Sequence, residues 1–460
     1  MNKEQIKNTV ILTADNLRAK AEAENDIISL CEYSHLMHLS DGFEIWTDAI
    51  NVALSEHKAV VIPEREKPYC TDSSVIVHSG NRIYAKGAKI LQIPGVRVLM
   101  LRNENVIDES ERPFASDDKT DAEIFIDGGE WIESRSERGG YGVSGMYDSE
   151  RSMFGVSTAF LLSNIRDVYV TNVKFVNCGG FAIQAGNIVN AVFENIVFDG
   201  CFADGVHIMG NSENIYVHNI KGDVGDDIVA LNMYDWSNSS INYGPIRNCY
   251  VQNVELDEKG KYKAIRILPG IYTFKDGSKT DCSAENIVFE NIRGINNFKI
   301  YLQTNRYPVD NPEVVGVGSG HDIYFDDIDI NLDSPIDAFD NYLNSDPITG
   351  TIAAFELGAD IDNIVLENIR LKCYRDIYPM SYLFAAGPKS AIVGDAEIYD
   401  PYIECHINGV TFKNIKINGE TPENIEDYVK TIKFGRIYDS DYCSGFADVK
   451  NIKYIWEEDS

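Results

Sequence analysis

From residue 164 onward one short unit recurs: an Asn, a few residues alternating apolar and polar, an Asn or Asp, then Val or Ile. It reads NIRDVYVTNV, NAVFENI, NIYVHNI, NCYVQNV, NIVFENI, DIYFDDI, NIVLENI and NGVTFKNI. The second polar residues are Asn172, Asn195, Asn219, Asn253, Asn291, Asp327, Asn368 and Asn414, at successive spacings of 23, 24, 34, 38, 36, 41 and 46. A strand-sized unit of fixed length with a variable remainder is the pattern of stacked coils whose loops grow on other sides. The period of two marks strands with one face in a core. One Asn at the same place in each coil builds a side-chain ladder with rungs about 4.8 Å apart. Val170, Val192, Val217, Val251 and Val288 are expected to stack inside in the same way. Leucine-rich repeats need shorter, leucine-regular units, and propellers need four antiparallel strands per period; neither fits.

The expected architecture is therefore all-β, a single-stranded right-handed parallel β-helix over 61–420. Residues 1–60 are read as an N-terminal cap, with a short capping helix at Asp48–Leu54 followed by the strand Val60–Pro63. Residues 421–460, with one repeat-like piece at Val449–Ile452, are read as a C-terminal cap. Caps are needed because the open ends of a coil stack expose unpaired strand edges. No linker divides the 460 residues into separate domains.

With 41 Lys+Arg against 72 Asp+Glu, the formal net charge is −31. Such a chain repels nucleic acid and anionic membranes, and no basic stripe overrides that. No apolar run is long enough for a signal peptide or a membrane span. The nine cysteines form no CxxC pair. They are read as reduced thiols of a cytoplasmic protein. Neither partner nor cofactor is expected beyond an oligosaccharide substrate, and no metal; His35 and His38 form an HxxH without a zincin Glu or a third ligand.

Two successive coils hold the unusual chemistry, FADGVHIMG (202–210) and GDVGDDIVALN (222–232). Asp204 precedes Asp226 by 22 residues and Asp227 by 23, one coil length, so it is expected directly beneath the pair. Three carboxylates this close repel one another, and at least one is expected to hold a proton near neutrality. A protonated acid beside ionised carboxylates suits glycoside hydrolysis: one protonates the leaving oxygen, another activates water or attacks. Arg266, in KAIRILPG, supplies a fixed charge one enlarged coil further on.

The order GGEW (128–131), ADG (203–205), GDD (225–227) and RI (266–267) resembles glycoside hydrolase family 28, the polygalacturonases and their relatives. The resemblance covers roughly residues 40–420, with about a dozen positions in the specific motifs. It implies a right-handed parallel β-helix and inverting hydrolysis of pectin-type oligosaccharides. It also implies Asp226 as general acid, Asp204 and Asp227 as the pair activating water, and Arg266 as a substrate-binding arginine. The sequence departs from the family pattern in three places. Ala203 replaces the Thr of Asn-Thr-Asp, no Gly-His-Gly follows the acidic pair, and Leu268 replaces the lysine of Arg-Ile-Lys. That lysine binds a uronate carboxylate, so its loss argues against a strict uronate requirement. The enlarged later coils point to exo-action.

His207 and Tyr301 align with Arg266 in DGVHI, AIRIL and KIYLQ and are expected, with Trp236, to bind substrate. Glu356 is placed two coils beyond Arg266. Two rival functions remain at this point. A calcium-assisted polysaccharide lyase would use Asp223, Asp226 and Asp227 for the ion and Arg266 as base. A non-catalytic carbohydrate-binding β-helix would present a flat sugar-binding face.

Overall fold

The computed structural model describes residues 1–22, 26–96, 98–106, 120–133, 147–148, 151–152, 158–234, 241–257, 263–273, 277–300, 318–332, 352–377, 381–386, 402–431 and 444–456. Its parallel strands pair coil upon coil, from Ile27–Ser29 on Ala59–Val61 to Tyr402–Lys413 on Ser444–Ile455, forming a right-handed parallel β-helix.

The unit repeats because its polar residues turn corners. Pairs five residues apart adopt the left-handed backbone region: Asn190/Asn195, Asn214/Asn219, Asn248/Asn253, Asn286/Asn291, Asp322/Asp327 and Asn363/Asn368, with φ of 53–65°. Among residues with a Cβ, Asn and Asp enter this region at least cost, because their short polar side chains bond locally. The same side chains then bond between coils. Asn219 donates to Asn195 at 2.6 Å, Asn214 to Asn190 at 3.0 Å, and Asn286 to Asn248 at 3.2 Å. The expected ladder is thus one of several. It is also interrupted, since Asn253 meets His218 and Asp327 pairs with Arg293. A third ladder, Asn164–Asn187–Asn211, has a rung at Asn187 that is fully buried.

Between the corners, Val170, Phe193, Val217, Val251 and Phe289 stack in register toward the coil interior. Val192 and Val288, expected among them, belong to the opposite face, in register with Tyr216 and Tyr250. A one-residue offset suffices for this, because it moves a side chain to the other face of a strand.

That outer face is covered by helix α1, Lys3–Ala21, which the sequence reading did not separate from the cap. Its buried stripe of Ile6, Val10, Ala14 and Leu17 lies on Val192, Tyr216, Tyr250 and Val288. Cations flanking the stripe meet carboxylates from several coils: Arg18 with Glu194, Lys7 with Glu290, and Lys3 with Asp326 and Glu367. Helix α1 therefore runs along the flank of the stack. The helix expected over 48–54 is α2, Thr47–Glu56, which packs against the first coils. Asn51 of α2 satisfies both the Ser74 carbonyl and the Ile76 N–H there. At the other end, Val449–Ile452 lies in a further coil strand, Ser444–Ile455, where Asn451 bonds to Asn408 at 2.7 Å.

The corner account makes a quantitative expectation at Asn187, where φ is 52° and side-chain bonds run to Asn164 and Asn211. Asn187→Ala loses the bonds and strains the corner, and should cost about 2–4 kcal/mol in equilibrium urea unfolding. Asn187→Gly loses only the bonds and should be milder by about 1–2 kcal/mol. A glycine variant no better than the alanine variant would contradict the corner account.

Candidate active site

The short strands Val206–Met209, Asp227–Asn232, Ala264–Leu268, Asn297–Ile300 and Ile352–Leu357 stack in parallel on the first part of the long strand Phe181–Cys201, on one side of the coil. Their register aligns one row: Gln184, His207, Ala230, Arg266, Lys299 and Glu356. Residues in register share a face, so this row, polar except at Ala230, runs down the outside of the sheet. The acidic residues stand beside it, at the turn leading into these strands.

The one-coil spacing of the aspartates holds at the level of backbone bonds. Gly205 N–H donates to the Asp227 carbonyl at 3.0 Å, and Asp227 N–H donates to the Asp204 carboxylate at 3.1 Å. The glycines of ADG and GDD make such close stacking possible. A Cβ on Gly225 would lie 2.0 Å from the Phe202 carbonyl oxygen, and one on Gly205 would lie 2.6 Å from that of Ile228. Asp204, Asp226 and Asp227 each offer an oxygen within 4.8 Å of the others. All three are buried, at 3%, 2% and 0% exposure.

Arg266 reaches back over this cluster. Its Nε lies 2.7 Å from Asp227 and its Nη2 lies 3.3 Å from Asp226. Even so, neither Asp227 oxygen receives a well-directed hydrogen bond among the described residues. Burial pushes the Asp227 carboxyl well above the ordinary carboxylate range; Arg266 opposes this, Asp226 and Asp204 add to it, and Lys299 opposes it again. The crowding expected to leave one proton in the trio thus acts on Asp227, with desolvation as its largest cause.

The other expected site residues are placed as follows. His207 does share the row of Arg266, but it is fully buried and does not present itself to a ligand. Its Nδ1 lies 2.6 Å from Asp204 and its ring stacks on Phe181 at 4.2 Å. Arg266 pairs with Lys299, so the alignment that set Tyr301 opposite Arg266 was two residues out. Tyr301 and Trp236 themselves lie outside the described residues. Glu356 is two coils beyond Arg266, as expected. Lys299 was missed. Its signal was an isolated cation in the alternating run Asn297–Ile300. Trp131, in the GGEW motif, is a core residue packed edge-on to Phe160 at 4.7 Å.

The sequence matches no family model and no curated protein. Among solved structures, the hyperthermoactive exopolygalacturonase from Thermotoga maritima aligns over 99% of this chain and 96% of its own, at 12% identity and a TM-score of 0.51. The family 28 exopolygalacturonase from Yersinia enterocolitica aligns over 94% and 78% at 13% identity, with a TM-score of 0.43. The adhesin PfbA of Streptococcus pneumoniae aligns over 94% and 97% at 13% identity, with the same TM-score of 0.43. At such identities the likeness is one of fold, and it is the parallel β-helix of the polygalacturonases.

The Asp227 shift has a consequence for stability. Above the ordinary carboxylate range the unfolded chain has lost this proton while the folded chain retains it. Stability is therefore lost as pH rises toward the raised folded value. Asp227→Asn removes that loss. In thermal melts from about pH 5 to about pH 8.5, the advantage of Asp227→Asn over wild type should widen steadily. A gap that stays constant or narrows would show that Asp227 folds ionised.

Proposed function

We propose that this chain is a glycoside hydrolase that removes terminal sugars from short, plant-derived (pectin-type) oligosaccharides with inversion at the anomeric carbon. The observation that carries this reading is the buried trio of Asp204, Asp226 and Asp227, gathered within 4.8 Å and spanned by Arg266. In this reading Asp226 gives a proton to the glycosidic oxygen, the step that turns the leaving sugar into a neutral alcohol. Asp204 and Asp227 hold the attacking water. Oxygens up to 4.8 Å apart suit one water hydrogen-bonded to both at about 2.8 Å. Arg266 keeps negative charge in the trio while burial opposes it. Asp227, whose affinity for a proton is raised by burial, has to be ionised to accept one from water, so the trio's proton passes to Asp226, which delivers it to the glycosidic oxygen.

Exo-action is supported by access. Side-chain exposures of 4%, 3% and 1% for the trio suit the end of a sugar chain better than its middle. The objection to a uronate loses one support, because Lys299 brings to this face the ammonium that Leu268 lacks. The net charge of −31 still opposes a long polyanion. Digalacturonate and neutral pectin-type disaccharides are therefore both in range, and polygalacturonate is not.

Inversion rests on the family resemblance. The trio is tighter than the separation of about 6.5–9.5 Å usual between acid and base carboxyls of inverting enzymes, and so departs from that expectation. A retaining route, with one aspartate as nucleophile, is the second reading this spacing favours. The lyase reading is weakened by Arg266, whose guanidinium is committed to two carboxylates and is badly placed to act as a base.

The test is hydrolysis of a panel of aryl glycosides, digalacturonate and neutral pectin-type disaccharides, with product anomers followed by NMR from the first turnovers. Inverted, saturated products that persist in EDTA are expected, and Asp226→Asn should lower kcat by at least about 10²-fold. Early retention of configuration would make one aspartate a nucleophile. An unsaturated product lost on chelation would replace hydrolysis by elimination.

A further inference from the structure

We propose that His207 is a positioning residue for Asp204, its imidazole Nδ1–H fixing the carboxylate so that its remaining lone pairs are presented to the water. The proposal rests on the hydrolase reading above and adds to it a residue that does not touch substrate.

The geometry is specific. His207 Nδ1 lies 2.6 Å from Asp204 Oδ2, while the Asp227 N–H occupies Oδ1 at 3.1 Å. Both oxygens of Asp204 are thus held, one by a side chain of the strand that follows it and one by the next coil. A carboxylate gripped at both oxygens cannot rotate, yet each oxygen keeps acceptor capacity for a further partner. The imidazole is equally confined. It is fully buried, stacked on Phe181 at 22° between planes, and fixed in the sheet between Gln184 and Ala230. Its far nitrogen, Nε2, faces the Met209 sulfur at 2.9 Å and the Asn232 amide nitrogen at 3.5 Å. A carboxylate oxygen only accepts, so at 2.6 Å from Asp204 Oδ2 it is Nδ1 that carries the proton facing Asp204.

A hydrogen bond of this kind orients the group that does the chemistry. Losing it lets the carboxylate turn away from the water without emptying the substrate site. The loss therefore falls on kcat and leaves KM little changed. A buried His–Asp pair with a purely structural role would instead reduce folding stability, and activity only in proportion to it.

Two substitutions separate these roles. His207→Leu removes the donor and should lower kcat on the best panel substrate by about 10²-fold with KM little changed. His207→Asn places an amide N–H close to the Nδ1 position and should recover most of that loss. Equal impairment by Leu and Asn, tracking their melting temperatures, would overturn the proposal. A second measurement is independent of turnover. In protein labelled with ¹⁵N-histidine, the resonance missing from His207→Asn should show the Nδ1-protonated tautomer, and Asp204→Ala should abolish that preference. An Nε2-protonated ring in the wild type would overturn the proposal whatever the substrate. Wild-type inactivity across the panel would instead count against the hydrolase reading, with the tautomer still deciding whether His207 serves Asp204.

Discussion

Everything in this molecule depends on coils meeting in register. Parallel strands about 4.8 Å apart place like residues over like, and the Asn corners make that register repeat. Each corner combines a backbone conformation few residues accept with an amide that bonds its neighbour above or below. Once the stack is fixed, distance in sequence becomes distance in space. Residues 23 positions apart, such as Asp204 and Asp227, become neighbours, the Asp227 N–H donating to the Asp204 carboxylate.

The candidate site uses that geometry against its own electrostatics. Gathering Asp204, Asp226 and Asp227 in a buried pocket of the fold is unfavourable, and Arg266 and Lys299 relieve only part of it. Asp227 absorbs the remainder through a raised affinity for its proton. Carboxyl groups displaced from their ordinary proton affinity by burial and by one another are a recurring feature of catalytic sites. The stability comes from elsewhere: the aliphatic and aromatic stacks inside the coil, and the outer face sealed by α1.

Much of this was legible in the sequence. The repeat specified the fold class, and its shortest spacings set the coil length that put Asp204 under Asp227. Other features were hidden for physical reasons. Insertions fall between one face of a coil and the next, so a count on one face does not transfer to another. Asn253 to Asn291 spans 38 residues on the ladder face, whereas Arg266 to Lys299 spans 33 on the site face. That mismatch misplaced Tyr301 and concealed Lys299. Val192 and Val288 were assigned inward because α1 makes both faces of those strands apolar, erasing the usual alternation. The burial of His207 has no local signature, since it comes from Phe181, Met209 and Asn232, contributed by three successive coil strands.

The claim most worth testing is that the trio activates water against a glycosidic bond. Turnover of digalacturonate and the neutral disaccharides in H₂¹⁸O, followed by mass spectrometry, reads this directly. The account predicts one ¹⁸O at the anomeric carbon of the released terminal sugar for each bond cut, with incorporation abolished in Asp226→Asn. Bond cleavage without ¹⁸O in that product, or undiminished incorporation in Asp226→Asn, would contradict it.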